Sequence, residues 1–89
     1  MKALRLVIKG KVQGVFFRKY TRDKAKALGL KGFVRNCDDG TVEVVAEGDE
    51  VPLHEFLHWC YQGSPRAEVE TINTEEIDYS GFKLFEIKR

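Results

Sequence analysis

Leu4, Leu6 and Ile8 alternate with Arg5, Val7 and Lys9. That period of two predicts a strand with one strongly apolar face. The glycines from Gly10 to Gly14 punctuate a loop. From about Arg18 to Leu28 the residues are good helix formers with a thin apolar face, and Gly29 stands where a helix C-terminal cap belongs. Residues Lys31 to Cys37 and Thr41 to Glu47 read as two strands. Between them Asp38-Asp39-Gly40 is a hairpin signal, because Asp and Gly tolerate the positive φ of tight turns. On the second of these strands Val42, Val44 and Ala46 share one face, opposite Thr41, Glu43 and Glu47. A second helix is expected from near Pro52, which suits a first helical position. Leu53, Phe56, Leu57 and Cys60 follow the i, i+3, i+4, i+7 spacing of a buried stripe, and Gly63 ends it. Residues 67–77 and 82–88 complete the pattern as strands of ambiguous facing, with Ser80-Gly81 as the break.

The order β-α-β-β-α-β plus a short last strand is the ferredoxin-like pattern of two interlocked βαβ units. The expected fold class is α+β, a ferredoxin-like sandwich with two helices on one face of an antiparallel four- to five-stranded sheet. One domain is expected over residues 1–89, since that length suffices for one small core. In the first βαβ unit the two strands run the same way, so their C-terminal ends share an edge. Residues 10–18 leave the first strand at that edge, and Asn36 lies near the end of the second.

Charge changes the picture. The net value of +1 conceals an uneven distribution: residues 1–35 carry eleven Lys or Arg against one acid, Asp23, whereas residues 36–89 carry four against thirteen acids. Either a positive face attracts an anion, or solvated faces of opposite sign attract each other. Cys37 and Cys60 are too few and too far apart for a disulfide framework or a tetrahedral zinc site, and two reduced thiols are expected. No apolar run approaches the roughly 18 residues of a membrane span. Early charges interrupt the N-terminus too soon for a signal peptide. The cytoplasm is the expected location, and a monomer the expected state.

Residues 10–18 read Gly-Lys-Val-Gln-Gly-Val-Phe-Phe-Arg. A glycine-punctuated loop between strand and helix can turn successive backbone N–H groups inward as an anion nest, and the helix adds its own free N–H groups and dipole. Arg18 supplies a guanidinium fork suited to phosphate. No Gly-Lys-Ser/Thr follows, so this is not a nucleotide triphosphate loop. Taken alone, such a loop is also compatible with a purely structural role, and Asn36 with a turn residue bonded to its own backbone.

The stretch resembles the acylphosphatase signature Gly-x-Val-Gln-Gly-Val-x-Phe-Arg at every specified position. A second pattern of that family, Gly-x-Val-x-Asn-x-x-Asp-Gly-x-Val, is matched by Gly32, Val34, Asn36, Asp39, Gly40 and Val42. Gly63-Ser64-Pro65 and Tyr79-Ser80 before Phe82 also look like family features. Phe33 stands where many members carry Trp, and Cys37 where some carry Thr. The resemblance implies hydrolysis of the carboxyl–phosphate bond of acyl phosphates, without cofactor or metal. It implies that Arg18 holds the phosphoryl group with the loop of Gln13, Gly14, Val15, Phe16, Phe17 and Arg18, and that Asn36 positions the attacking water. A phosphate oxygen of the substrate would take the water's proton. Inorganic phosphate would be product and inhibitor. Phe16 and Phe17 are expected as core or loop anchors, and Gln13 as a brace.

Two other patterns point elsewhere. His54-Glu55-Phe56-Leu57-His58 spells the zinc protease motif H-E-x-x-H. But Tyr61 stands where the extended form wants Gly, no third His follows, and both histidines flank the apolar stripe. Surface histidines are therefore expected. Lys31-Gly32-Phe33-Val34 faintly resembles an RNA-recognition motif, yet its aromatic positions are missing after Phe33. A non-catalytic anion- or RNA-binding ferredoxin-like module is the alternative, and no nucleic-acid or membrane partner is expected.

Overall fold

A computed structural model describes all 89 residues. The chain forms β1 (Lys2–Lys11), α1 (Phe17–Ala27), β2 (Lys31–Asn36), β3 (Val42–Gly48), α2 (Glu50–Gln62), β4 (Glu68–Ile77) and β5 (Phe85–Lys88). The sheet runs β4-β1-β3-β2-β5. The α+β ferredoxin-like fold is therefore as the element order predicts, with one correction. Each neighbouring pair in β4-β1-β3-β2 is antiparallel, but β5 pairs parallel with β2, so the five-stranded sheet is mixed. That final strand follows a break rather than a hairpin, and a parallel neighbour cannot be reached by a tight turn.

Helix α1 stops where glycine permits it. Gly29 has φ 73°, and the N–H groups of Gly29 and Leu30 bond back to the carbonyls of Lys26 and Ala25. Helix α2 begins at Glu50, two residues before the expected start. Pro52 sits inside the first turn, where its missing N–H costs nothing because those donors have no helical partner. Leu53, Phe56 and Cys60 bury the predicted stripe, with Leu57 partly covered. They meet Leu6, Ile8, Val42, Val44 and Ala46 of the sheet and Phe17 and Ala25 of α1 in one core. Burial and close packing of these side chains is the main stabilising term. No helix is long and apolar enough to cross a membrane.

The other face of β3 departs from simple alternation. Glu43 and Glu47 are buried as well, at 8% and 1% exposure. Each is satisfied by a different set of donors. Glu47 accepts backbone N–H bonds from Ser80, Gly81 and Phe82, fastening the segment between β4 and β5 to the central strand. Glu43 accepts from the guanidinium groups of Arg35, directly opposite it on β2, and of Arg5 on β1, which reaches it diagonally from beside Val45. Buried carboxylates are tolerated only when paired in this way.

Burial raises the Glu43 carboxyl's pKa, but the hydrogen bonds and charges of Arg35 and Arg5 outweigh it, and the net direction is below the ordinary value of 4.5. The unfolded chain therefore takes up this proton before the folded one does. The stabilisation is complete above the ordinary carboxylate range and fades as pH falls through the lowered folded value. Glu43→Gln is expected to cost about 1–3 kcal/mol near neutrality, both arginines being partly solvated. The gap in melting temperature between wild type and variant should narrow as pH drops towards 3. A gap independent of pH would show that the carboxylate charge contributes nothing.

Candidate active site

β1 and β2 both run antiparallel to β3, so their C-terminal ends lie at one edge of the sheet. The parallel pairing of β5 with β2 sets Val34 beside Ile87 and Arg35 beside Lys88, which brings the end of β5 to the same edge. A cavity of about 500 Å³ opens there, lined by Val12, Gly14, Phe16, Phe17, Arg18, Lys19, Asn36, Ile87 and Arg89. Arg18 and Asn36, eighteen positions apart in sequence, share its wall.

The loop before α1 has an unusual backbone. Gly14 and Phe16 both adopt left-handed conformations, at φ 74° and φ 60°. Phe16 is the only non-glycine residue with positive φ. A bulky side chain in that region is strained, by about 1 kcal/mol or more, and such strain gathers at functional sites. The first helical bond of α1 runs from the Tyr20 N–H to the Phe16 carbonyl. The N–H groups of Phe17, Arg18 and Lys19 therefore have no helical partner. Within the loop, no backbone carbonyl accepts from the N–H groups of Gln13 to Phe16. A run of free donors at a helix N-terminus is an anion cradle.

Arg18, the second residue of α1, completes the cradle. Its only protein hydrogen bond is a long one, 3.4 Å from Nη1 to the Lys88 carbonyl, and no carboxylate pairs with it. Asn36 ends β2, and its Oδ1 is buried without a hydrogen-bond partner. Buried polar atoms are rarely left so. The turn role considered for Asn36 belongs instead to Asp39, which accepts from the N–H and hydroxyl of Thr41 at 3.0 and 2.6 Å. These bonds lower the Asp39 pKa.

The remaining loop positions divide by role. Gly14, Phe16, Phe17 and Arg18 line the cavity, whereas Gln13 and Val15 do not. Gln13 is a brace: both hydrogens of its amide go to hairpin carbonyls, Cys37 and Thr41, each at 2.9 Å. Val15 is buried, and its carbonyl accepts from the Ser64 hydroxyl at 2.8 Å. Phe17 is the expected anchor, 1% exposed beneath the loop. Phe16 corrects that expectation, for it stands 73% exposed at the cavity. The left-handed turn that aims the backbone inward throws its side chain outward. Sequence reading missed Ser64 as a brace, and Lys19, Ile87 and Arg89 as lining. The ambiguous facing of the last strand hid Ile87 and Arg89, while Lys19 sits one residue past the motif.

His54 and His58 are both exposed on α2, away from this edge. No group of three or more His, Cys, Asp or Glu side chains comes together to hold a metal. Cys37 and Cys60 are unpaired, and burial raises the Cys60 thiol's pKa.

Fold and cavity thus define a ferredoxin-like α+β protein with a run of unbonded backbone donors between the first strand and first helix. The acylphosphatase family model matches residues 4–87, and the chain belongs to that family. It is 52% identical over 83 residues to an acylphosphatase of Pelotomaculum thermopropionicum, covering 89% of this chain and 90% of the relative. It is 49% identical over 88 residues to an acylphosphatase of Thermotoga maritima, covering 99% and 98%. Among solved structures, the acylphosphatase of Bacillus subtilis superposes with a TM-score of 0.98 at 38% identity, with all of both chains covered.

The bracing of the loop is testable. Gln13→Ala leaves the Cys37 and Thr41 carbonyls with one partner fewer each. It should cost about 1 kcal/mol, a fall in melting temperature of about 4–8 °C for a domain of this size. An unchanged melting temperature would mean the loop is held without the Gln13 amide.

Proposed function

We propose that residues 1–89 act as a single-domain acylphosphatase, hydrolysing acyl phosphates to a carboxylate and inorganic phosphate. The observation that carries the mechanism is that one cavity is lined by Arg18, which has no carboxylate partner, by Gly14, Phe16, Phe17 and Lys19, whose N–H groups lack backbone acceptors, and by Asn36 with its orphaned Oδ1. The phosphoryl oxygens accept from the loop and from Arg18, whose planar fork can bind two of them. Asn36 then accepts a hydrogen from a water and aims its oxygen at phosphorus. As the water's oxygen bonds to phosphorus, the bond to the acyl oxygen breaks and a carboxylate leaves. A phosphate oxygen of the substrate takes the water's proton. The carboxylate is a good leaving group, so no general acid is required, and positioning with charge stabilisation carries the reaction. The resemblance supports this account without cofactor or metal.

All site residues come from one chain, so a monomer suffices. Two unpaired cysteines suit the reducing cytoplasm. Inorganic phosphate, which fits the same cradle, is both product and competitive inhibitor.

Purified protein should hydrolyse an aryl acyl phosphate and act far more slowly on p-nitrophenyl phosphate, whose leaving group is worse. Arg18→Ala should lose turnover on the order of 10²-fold and weaken phosphate inhibition with it. Asn36→Ala should lose kcat on a similar scale, on the order of 10²-fold, while retaining phosphate inhibition and nearly the wild-type melting temperature. Comparable rates on both substrate classes would refute the activity. A destabilised but fully active Asn36→Ala variant would return that residue to the hairpin.

A further inference from the structure

Of the fifteen Lys and Arg side chains, four stand in ion pairs: Lys2, Arg5, Arg22 and Arg35. The cavity gathers three that do not. Arg18, Lys19 and Arg89 line it without a carboxylate partner, and no Asp or Glu lines it with them. The phosphoryl group has the free N–H groups and Arg18 to itself. Lys19, next along α1, and Arg89, just past β5, therefore place positive charge beyond what the phosphoryl cradle uses. The same cavity has apolar lining from Phe16 and Ile87, which suits the carbon frame of an acyl group.

Resting on the acylphosphatase reading, we propose that Lys19 and Arg89 form a second anion subsite. This subsite selects acyl phosphates whose acyl group carries a further negative charge, such as a distal carboxylate. Both residues are exposed. Their contribution is accordingly that of solvated charges, modest and weakened by salt. Any positive rim attracts the more highly charged acyl phosphate more strongly, so the subsite is defined by the dependence of that preference on Lys19 and Arg89 in particular.

The discriminating pair is benzoyl phosphate and 4-carboxybenzoyl phosphate, which share the aryl frame and have leaving groups of similar acidity. Wild type should show kcat/KM higher for the carboxylated substrate by roughly three- to tenfold at low salt, falling towards parity at about 0.5 M salt. In the Lys19→Gln, Arg89→Gln double variant the ratio should fall to about one at low salt. The matching ketone phosphonates, with CH2 in place of the bridging oxygen, give the same ratio as dissociation constants by calorimetry, with no dependence on turnover. Loss of hydrolysis with a retained binding preference would refute the activity but keep the subsite. Equal dissociation constants in wild type, or a preference that survives in the double variant, would overturn the subsite.

Discussion

Backbone N–H groups that meet no carbonyl are held in place by contacts made elsewhere, and the architecture around residues 13–16 supplies them from three directions. Gln13 ties the loop to the β2–β3 hairpin through two carbonyls. Ser64, just beyond α2, holds the Val15 carbonyl from the opposite side. Phe17 pins the start of α1 into the core, where its ring lies 6.3 Å from that of Trp59. With the Gln13 amide and the Val15 carbonyl committed to these contacts, the loop's own N–H donors are left without backbone acceptors. The sheet order matters because it brings each brace within reach.

Much of this was legible in the sequence. The strand and helix order followed from periodicity and from glycine and hairpin punctuation, and the like direction of the two strands in the first βαβ unit placed Arg18 and Asn36 at one edge. What stayed hidden depended on tertiary pairing. Glu43 and Glu47 read as solvent-facing on β3, because alternation cannot report that Arg5, Arg35 and three backbone N–H groups wait opposite them. Phe16 read as an anchor because its hydrophobicity is visible and its left-handed backbone is not. The parallel seat of β5 was invisible for the same reason, and with it the places of Ile87 and Arg89.

The uneven charge along the chain resolves into two uses. Across the open face of the sheet, Arg5 and Arg35 of the basic first third neutralise Glu43 of the acidic remainder, and Arg5 also reaches Glu75. At the cavity edge the cations stay unpaired. Mutual attraction accounts for the paired cations, and the proposed anion capture falls to the unpaired ones. The unpaired part coincides with the free backbone donors, where a cation and a helix N-terminus would act on the same anion in the proposed mechanism.

The central claim is that the free donors of the loop and Arg18 together bind the phosphoryl group. Titration of the isotope-labelled protein with inorganic phosphate, followed by amide NMR, tests it directly. The account predicts saturable shifts confined to the amides from about Gly14 to Lys19 and to the Asn36 side chain, and their loss in Arg18→Ala. Shifts that centre on His54 and His58, or that scatter over the basic surface without saturating, would contradict it.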